Sequence, residues 1–482
     1  MEVERPEQFT NADVILGGGL CGLLLAVELA TRLRQSDRKI IVVEATGGEV
    51  PRRDLERPFR WLRLLGSEAD YNHPTQPCEA LAGRQIMWPR GRGWGGSGRI
   101  NSMIWFPPTE TDIANLVDVL REHDGDVPSK LNSALEQAKS WIRPEPARWL
   151  SGSGRLFLDA MKDADQCQFA AYDRLNRGGR RWTAWQAVSE LLQQNPQAGQ
   201  GLSFVRADVH SLRIQDGQAT DLVWADRSTS RLDDDCQVIS CLGTIGSPTL
   251  LQRSGHQVTG LGENLHDHLI MPVIHGTDSD ILTDDVTDAR SLASWQHSGA
   301  GRIACNVAEC GGLDPDQRWQ LHVTPTDYLR FPNSQRRGAM TIGVNVTQPK
   351  SRGRIRWTAD EMSIETGYWN DSKDRDQLLA GVHWVRELVS RSRLATVLGA
   401  ETIPGAKRTS DAALIAAMQR YTQTLYHPAG TCALGDVVDS QFKVRGLNNV
   451  RMVDASLLPK PTVGNPTATL AMLTCYAANR IA

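Results

Sequence analysis

The sharpest alternation of apolar and polar positions lies within residues 12–45. The apolar run Val14-Ile15-Leu16 ends in Gly17-Gly18-Gly19-Leu20-Cys21-Gly22, and residues 23–34 then carry apolar positions at helical spacing among strong helix formers. A second β-branched run, 39–43, closes on Glu44. The pattern predicts strand, glycine turn, helix and strand, one compact βαβ unit. Residues 51–110 are rich in Arg, Pro, Gly and Trp with little periodicity, which predicts long ordered loops. Residues 111–200 read as largely helical, with segments at 113–123 and 129–142. Alternating runs at 203–240 predict short strands, and the last of them, 237–240, enters the turn 241–246 as a second nucleotide-fold crossover would. Farther on, 340–346 and 354–357 predict strands, and 374–392 and 410–421 predict helices. No internal repeat or low-complexity tract interrupts the chain.

The glycine turn carries the first candidate chemistry. Gly17 permits the tight turn, Gly19 lets backbone approach a pyrophosphate, and Gly22 allows helix to pack closely on strand. Glu44 stands 22 residues after Gly22, where a ribose hydroxyl needs an acceptor. Gly-x-Gly-x-x-Gly alone is a weak signal; its position between strand and helix makes it a dinucleotide cradle.

Composition narrows the class. A chain of 482 residues has room for about three average domains. With 40% hydrophobic and 23% charged residues it reads as an ordinary soluble globular protein. Fifty-three Lys and Arg stand against 56 Asp and Glu, a net charge of -3, so nothing in the overall charge points to nucleic acid or an acidic membrane surface as partner. The opening MEVERPEQFT lacks a basic n-region and an apolar h-region, which predicts a cytoplasmic protein. The longest uncharged runs, 14–27 and 461–479, are too short or too interrupted to predict a membrane helix. Nine cysteines without a Cys-x-x-Cys spacing predict reduced thiols, Cys21 and Cys432 among them as small space-filling groups. His266 and His268 have the spacing that puts two imidazoles on one strand face, but no third ligand converges, and no metal is predicted.

Further segments carry a resemblance. Residues 88–101, WPRGRGWGGSGRIN, resemble the first signature of the glucose-methanol-choline (GMC) family of flavin oxidoreductases, and GTIGSPTLL at 243–251, with Ser254-Gly255, is similar to the second. Gly262-Glu263-Asn264-Leu265-His266-Asp267-His268 resembles the family's Gly-x-Asn-Leu-x-Asp-His stretch, and Pro349-Lys350-Ser351-Arg352-Gly353 a strand of its substrate domain. Tyr426-His427-Pro428-Ala429-Gly430-Thr431-Cys432, Val453-Asp454-Ala455-Ser456 and Gly464-Asn465-Pro466 follow in the family's order. The resemblance runs from about residue 12 to the C-terminus and is weakest between 110 and 200.

What it implies is an α/β protein. A doubly wound FAD-binding domain is expected from residues 1–110, 201–275 and 425–482, and a substrate-binding domain of antiparallel sheet backed by helices from 111–200 and 276–424. FAD is implied, with Gly17, Gly19 and Gly22 at its pyrophosphate, Glu44 at its adenosine ribose and the main chain of Val209 at its adenine. Gly95, Gly96, Ser97 and Asn101 match the loop beside the isoalloxazine, while Asp454, Ala455, Asn465 and Pro466 match residues at the ribityl-phosphate and ring edge. Ile100 occupies the place where some members attach FAD through a histidine, so the flavin is expected to be noncovalent. His427 and Asn465 match the catalytic pair: an imidazole titrating near neutrality takes an alcohol's hydroxyl proton, the amide steadies the oxygen, and hydride passes to flavin N5. The implied partners are a small alcohol and an electron acceptor, dioxygen or another. The resemblance also admits a cyanohydrin-type lyase or a flavin photoenzyme.

Overall fold

The computed structural model describes all residues except 1, 34–35, 49, 122–124, 163–167, 278–288, 331–337, 359 and 482. In chain order, the elements that place the site are β1 (Ala12–Leu16), α1 (Leu20–Arg32), β2 (Lys39–Glu44), α2 (Val127–Ile142), β3 (Leu202–Arg206), β4 (Gln237–Ser240), α3 (Gly243–Arg253), β5 (Leu269–Gly276), β6 (Cys310–Leu313), β7 (Trp319–Thr324), β8 (Ala339–Val346), α4 (Ser372–Arg391), β9 (Val450–Met452) and α5 (Thr467–Ile481). Residues 51–110 form mostly irregular structure punctuated by short helical turns and two-residue strands, as their composition predicts. The helix expected over 113–123 spans Glu110–Leu120, begun by a capping box at Thr109 and Asp112; His123 lies outside the described residues.

Five strands and the edge strand Glu2–Val3 make a parallel sheet in the order Glu2–Val3, β3, β2, β1, β4, β9. Every residue of β1 is buried, because a parallel strand covered on both faces has no solvent side. Helices α1 and α5 share this core, and α2 packs along α5. The long uncharged C-terminal run is thereby explained: Ala468–Ala478 is buried almost all round, between the sheet and α2. No helix among the described residues is long and apolar enough to cross a membrane.

The larger, seven-stranded sheet is antiparallel: Glu401–Ile403, β5, β8, β7, β6 and Gln168–Ala171 in order, with Gln423–Thr424 also paired to β5. Its period-2 alternation divides two environments. Met340, Ile342, Val344 and Val346 of β8, with Leu321 and Val323 of β7, join a second core with Leu378, Val382 and Val385 of α4. The alternate positions Gln320, His322 and Thr324 lie opposite Asn345, Gly343 and Thr341, so the other face of the sheet is polar yet buried.

The 111–200 region, expected with the antiparallel part, is divided between the two cores. Leu116, Val117 and Leu120, the buried face of α2, and Val188 and Leu192 all belong to the parallel-sheet core. Phe157, Ala160 and Met161 belong to the other, and Gln168–Ala171 is an edge strand of its sheet. The helical period announces an apolar face but carries no information about which sheet that face will meet.

Candidate active site

A cleft of about 670 Å3 is lined by both glycine loops and by Tyr426, His427 and Asn465. Gly17 adopts φ +108°, and a Cβ there would sit 2.4 Å from the Cys241 carbonyl oxygen. A Cβ on Gly22 would sit 1.8 Å from the Gly17 oxygen, so α1 can start immediately behind the turn only with glycine at this position. At Gly19 a Cβ would meet nothing closer than the Cα of Gly96, at 3.9 Å, leaving the backbone open to the cleft. The Gly95 amide donates to the Gly18 carbonyl at 2.8 Å, tying the two glycine loops together. No side chain caps α1, whose first amides are left for an anionic guest.

Glu44 ends β2 beside this turn, and its carboxylate accepts from the amides of Gly18 and, at 3.1 Å, Gly93. Burial, opposed by those amides, raises its pKa. Val209 lines the cleft as well. Ser97 Oγ accepts from the Gly91 amide at 3.1 Å, and Asn101 Oδ1 accepts from Arg181 at 2.9 Å and from the Met103 amide at 3.1 Å. Asp454 is wholly engaged: Oδ2 accepts from the Gly243 amide at 2.9 Å and Ser247 Oγ at 2.6 Å, and Oδ1 from the Ser456 amide at 2.8 Å. It braces the turn into α3, while Ala455 and Pro466 line the cleft beside it. A cleft lined by bare glycine backbone, by the carboxylate of Glu44 and by the imidazole of His427 fits FAD. Ile100 is 3% exposed and packs with Leu64 and Ala69.

His427 and Asn465, 38 residues apart, come together with Asn465 Nδ2 3.1 Å from His427 Nε2. Pro466 leads directly into α5, so Asn465 is carried by the entry of a buried helix. Its Oδ1 accepts from Gln320 Nε2 at 3.4 Å, which links it to the polar face of the antiparallel sheet. Tyr426 holds φ +69°, strained for a bulky residue. It is pinned on several sides: its amide donates to Thr424 Oγ1 at 2.8 Å, its carbonyl accepts from Arg90 at 3.0 Å and its hydroxyl meets that of Tyr328 at 3.1 Å.

Two residues of the Gly-x-Asn-Leu-x-Asp-His stretch, given no role by sequence reasoning, hold the histidine. Asp267 Oδ1 accepts from the His427 amide at 2.8 Å, while Oδ2 accepts from the Tyr368 hydroxyl at 2.5 Å and Thr424 Oγ1 at 2.7 Å. His268 Nδ1 lies 2.9 Å from His427 Nδ1, with the rings nearly perpendicular at 87°, and its Nε2 lies 2.7 Å from the Thr347 carbonyl oxygen. His266 points elsewhere, its Nδ1 3.0 Å from the Asn264 carbonyl, so the His-x-His pair serves two separate tasks. Among the described residues no group of His, Cys, Asp or Glu is arranged to hold a metal ion.

The electrostatics differ from the expectation of a histidine titrating near neutrality. Burial, reinforced by His268, His322 and Arg90, holds His427 well below its ordinary value and hence neutral. Its exposed edge opens onto the cleft. Burial likewise lowers His268 and brings His266 and His322 to about 3. It pushes the Cys21 thiol up to about 12 and raises Cys432, in keeping with space-filling thiols.

Two family models, both described as GMC oxidoreductase, match residues 151–270 and 349–474, together more than half of the chain. The chain is 27% identical to an alcohol dehydrogenase [acceptor] of Pseudomonas putida over 97% of its own length and 95% of the relative's. It is 25% identical to an oxygen-dependent choline dehydrogenase of Ectopseudomonas mendocina over 97% and 93% of the two chains. Among solved structures, pyridoxine 4-oxidase from Mesorbium loti shares the fold with a TM-score of 0.80 at 22% identity, covering 97% of this chain and 99% of that one. With both family models together covering more than half of the chain, and one of them spanning the segment in which His427 and Asn465 meet, the chain belongs to the GMC oxidoreductase family.

Proposed function

We propose that the protein is an FAD-dependent oxidoreductase that converts an alcohol to a carbonyl compound, with His427 as general base and Asn465 as hydrogen-bonding partner. The observation that carries the reading is the His427 imidazole lining the cleft, 3.1 Å from the Asn465 amide and held by His268 and Asp267, with burial favouring its neutral form. Alcohols surrender hydride readily only as the hydroxyl proton departs. In this reading the alcohol oxygen settles beside both side chains and replaces the hydrogen bond between them. Its O–H donates to His427 Nε2, and the Asn465 amide donates to the oxygen, favouring the developing alkoxide without competing for the proton. Bound FAD supplies the hydride acceptor, N5.

The parallel-sheet part holds FAD in this reading: Gly17, Gly19 and Gly22 at the pyrophosphate, Glu44 at the ribose, Val209 at the adenine. Gly95, Gly96, Ser97, Asn101, Asp454, Ala455 and Pro466 line the flavin half. FAD is held noncovalently, since the buried Ile100 has no nucleophilic atom to offer. The antiparallel part receives the alcohol, and the electrons leave to dioxygen or another acceptor.

The test is direct. Under nitrogen, an alcohol substrate bleaches the yellow protein, and denaturation then releases all flavin into the supernatant. Flavin that stays oxidised with every alcohol while a cyanohydrin is cleaved would establish lyase chemistry instead.

A further inference from the structure

We infer that His268 is a positioning residue that sets the tautomer of His427, and that the main-chain carbonyl of Thr347 decides which tautomer it is. The inference rests on the reading of His427 as the base. A carbonyl oxygen has no hydrogen to give, so its 2.7 Å contact with His268 Nε2 requires the hydrogen to sit on that nitrogen. A neutral His268 is then bare at Nδ1. That bare atom faces His427 Nδ1 at 2.9 Å, and two lone pairs at this distance repel, so His427 carries its own hydrogen on Nδ1 and donates it. Neutral His427 is therefore bare at Nε2. This is the atom that meets Asn465 Nδ2, a group with only hydrogens to offer, at 3.1 Å.

Every link from Thr347 to Asn465 pairs a donor with an acceptor, and reversing one ring breaks at least one link. Burial keeps both rings neutral, as the scheme requires. Asp267 contributes nothing to the choice, because it accepts from the main chain of His427 and not from either ring. An unconstrained imidazole divides its hydrogen between both nitrogens; here Nε2 is left bare before substrate arrives, its lone pair held by the Asn465 amide until an alcohol O–H replaces that donor.

The same chain limits the proton's route. When the alcohol O–H bond breaks and the N–H bond forms at Nε2, the positive charge is shared with His268 across the Nδ1 contact. The Thr347 carbonyl accepts a hydrogen bond but takes up no proton, so the chain ends there. The proton must return through His427 Nε2 into the cleft.

The experiment uses the FAD-loaded protein labelled with 15N-histidine, together with His268→Gln and His268→Leu. A glutamine amide has one acceptor and one donor, the same polarity that neutral His268 presents; leucine has neither. Histidine 15N spectra of the wild type should show His427 bare at Nε2 and hydrogen-bearing at Nδ1. His268→Leu should slow anaerobic flavin reduction by about 100-fold with little change in the substrate concentration for half-saturation, and His268→Gln should recover to within about tenfold of wild type. A His427 hydrogen that stays on Nδ1 in His268→Leu, or equal rates for the leucine and glutamine variants, would overturn the inference while leaving the base assignment standing; a His427 hydrogen on Nε2 in the wild type would overturn both. Failure of every alcohol to reduce the wild-type flavin overturns the base reading itself. Should His268→Leu not fold, the wild-type spectra and the glutamine variant still decide the matter.

Discussion

The two ends of the cleft are built from different materials. At the cofactor end the chemistry belongs to the backbone: Gly17, Gly19 and Gly22 matter for the side chains they lack, and the open amides of α1 would do the binding. At the catalytic end it belongs to side chains brought from remote parts of the chain. Asp267 and His268 precede β5, Gln320 lies on β7, Thr347 follows β8, and His427 and Asn465 come from the C-terminal segment. At Gly17 and Gly22 the backbone device tolerates no added atom, whereas a side-chain device tolerates a change of shape but not of proton inventory.

The largest effect that would test this contrast is Gly22→Ala. With the Gly17 oxygen 1.8 Å from the new methyl and the Cys241 Cβ at 3.3 Å, α1 must shift, and we expect destabilisation of at least about 4 kcal/mol and little folded, flavin-bearing protein, read from soluble yield and thermal unfolding. A variant that folds yellow with an unchanged melting temperature would refute the close approach. Next, His427→Ala should retain FAD yet slow anaerobic reduction between about 100- and about 10,000-fold. Loss of flavin alongside the rate would show the two ends to be less separable than described.

Glu44→Gln sharpens the contrast at the other end. Its carboxylate is shared by the Gly18 and Gly93 amides, so the variant should hold FAD about tenfold less tightly, measured by flavin lost on gel filtration, without altering the reduction rate of molecules that keep it.

Two effects of pH are smaller. Because His427 is held neutral well below the ordinary histidine range, the limiting rate of flavin reduction should stay flat as pH falls through about 6.5. A stopped-flow profile that drops with an apparent pKa near about 6.5 would contradict that environment. Folding stability should behave in the opposite way. His266 and His322 titrate at about 3 in the folded protein against an ordinary value of 6.5, so the unfolded chain takes up protons first on acidification. Stability is lost as pH falls below about 6.5 and continues to fall toward 3, each histidine contributing about 1.4 kcal/mol per pH unit. Replacing His266 with Gln should remove one proton's worth of that slope in melting temperature against pH.

Sequence alone determined the parts of this protein whose physics is local. A glycine between strand and helix must be there for φ or for space, and the βαβ unit at 12–45 follows from period and turn residues within one short window. The motifs also delivered His427 and Asn465 as a pair. Tertiary structure decided the rest. The apolar faces of the 111–200 helices were legible, but not that most of them join the parallel-sheet core. His266 and His268 share one spacing, yet only packing directs one ring to a turn carbonyl and the other to His427. Asp267 offered no periodic signal for its grip on an amide 160 residues away. The proton inventory of the catalytic end depends on one carbonyl oxygen at Thr347, an atom every residue possesses, and only the fold determines whose ring it meets.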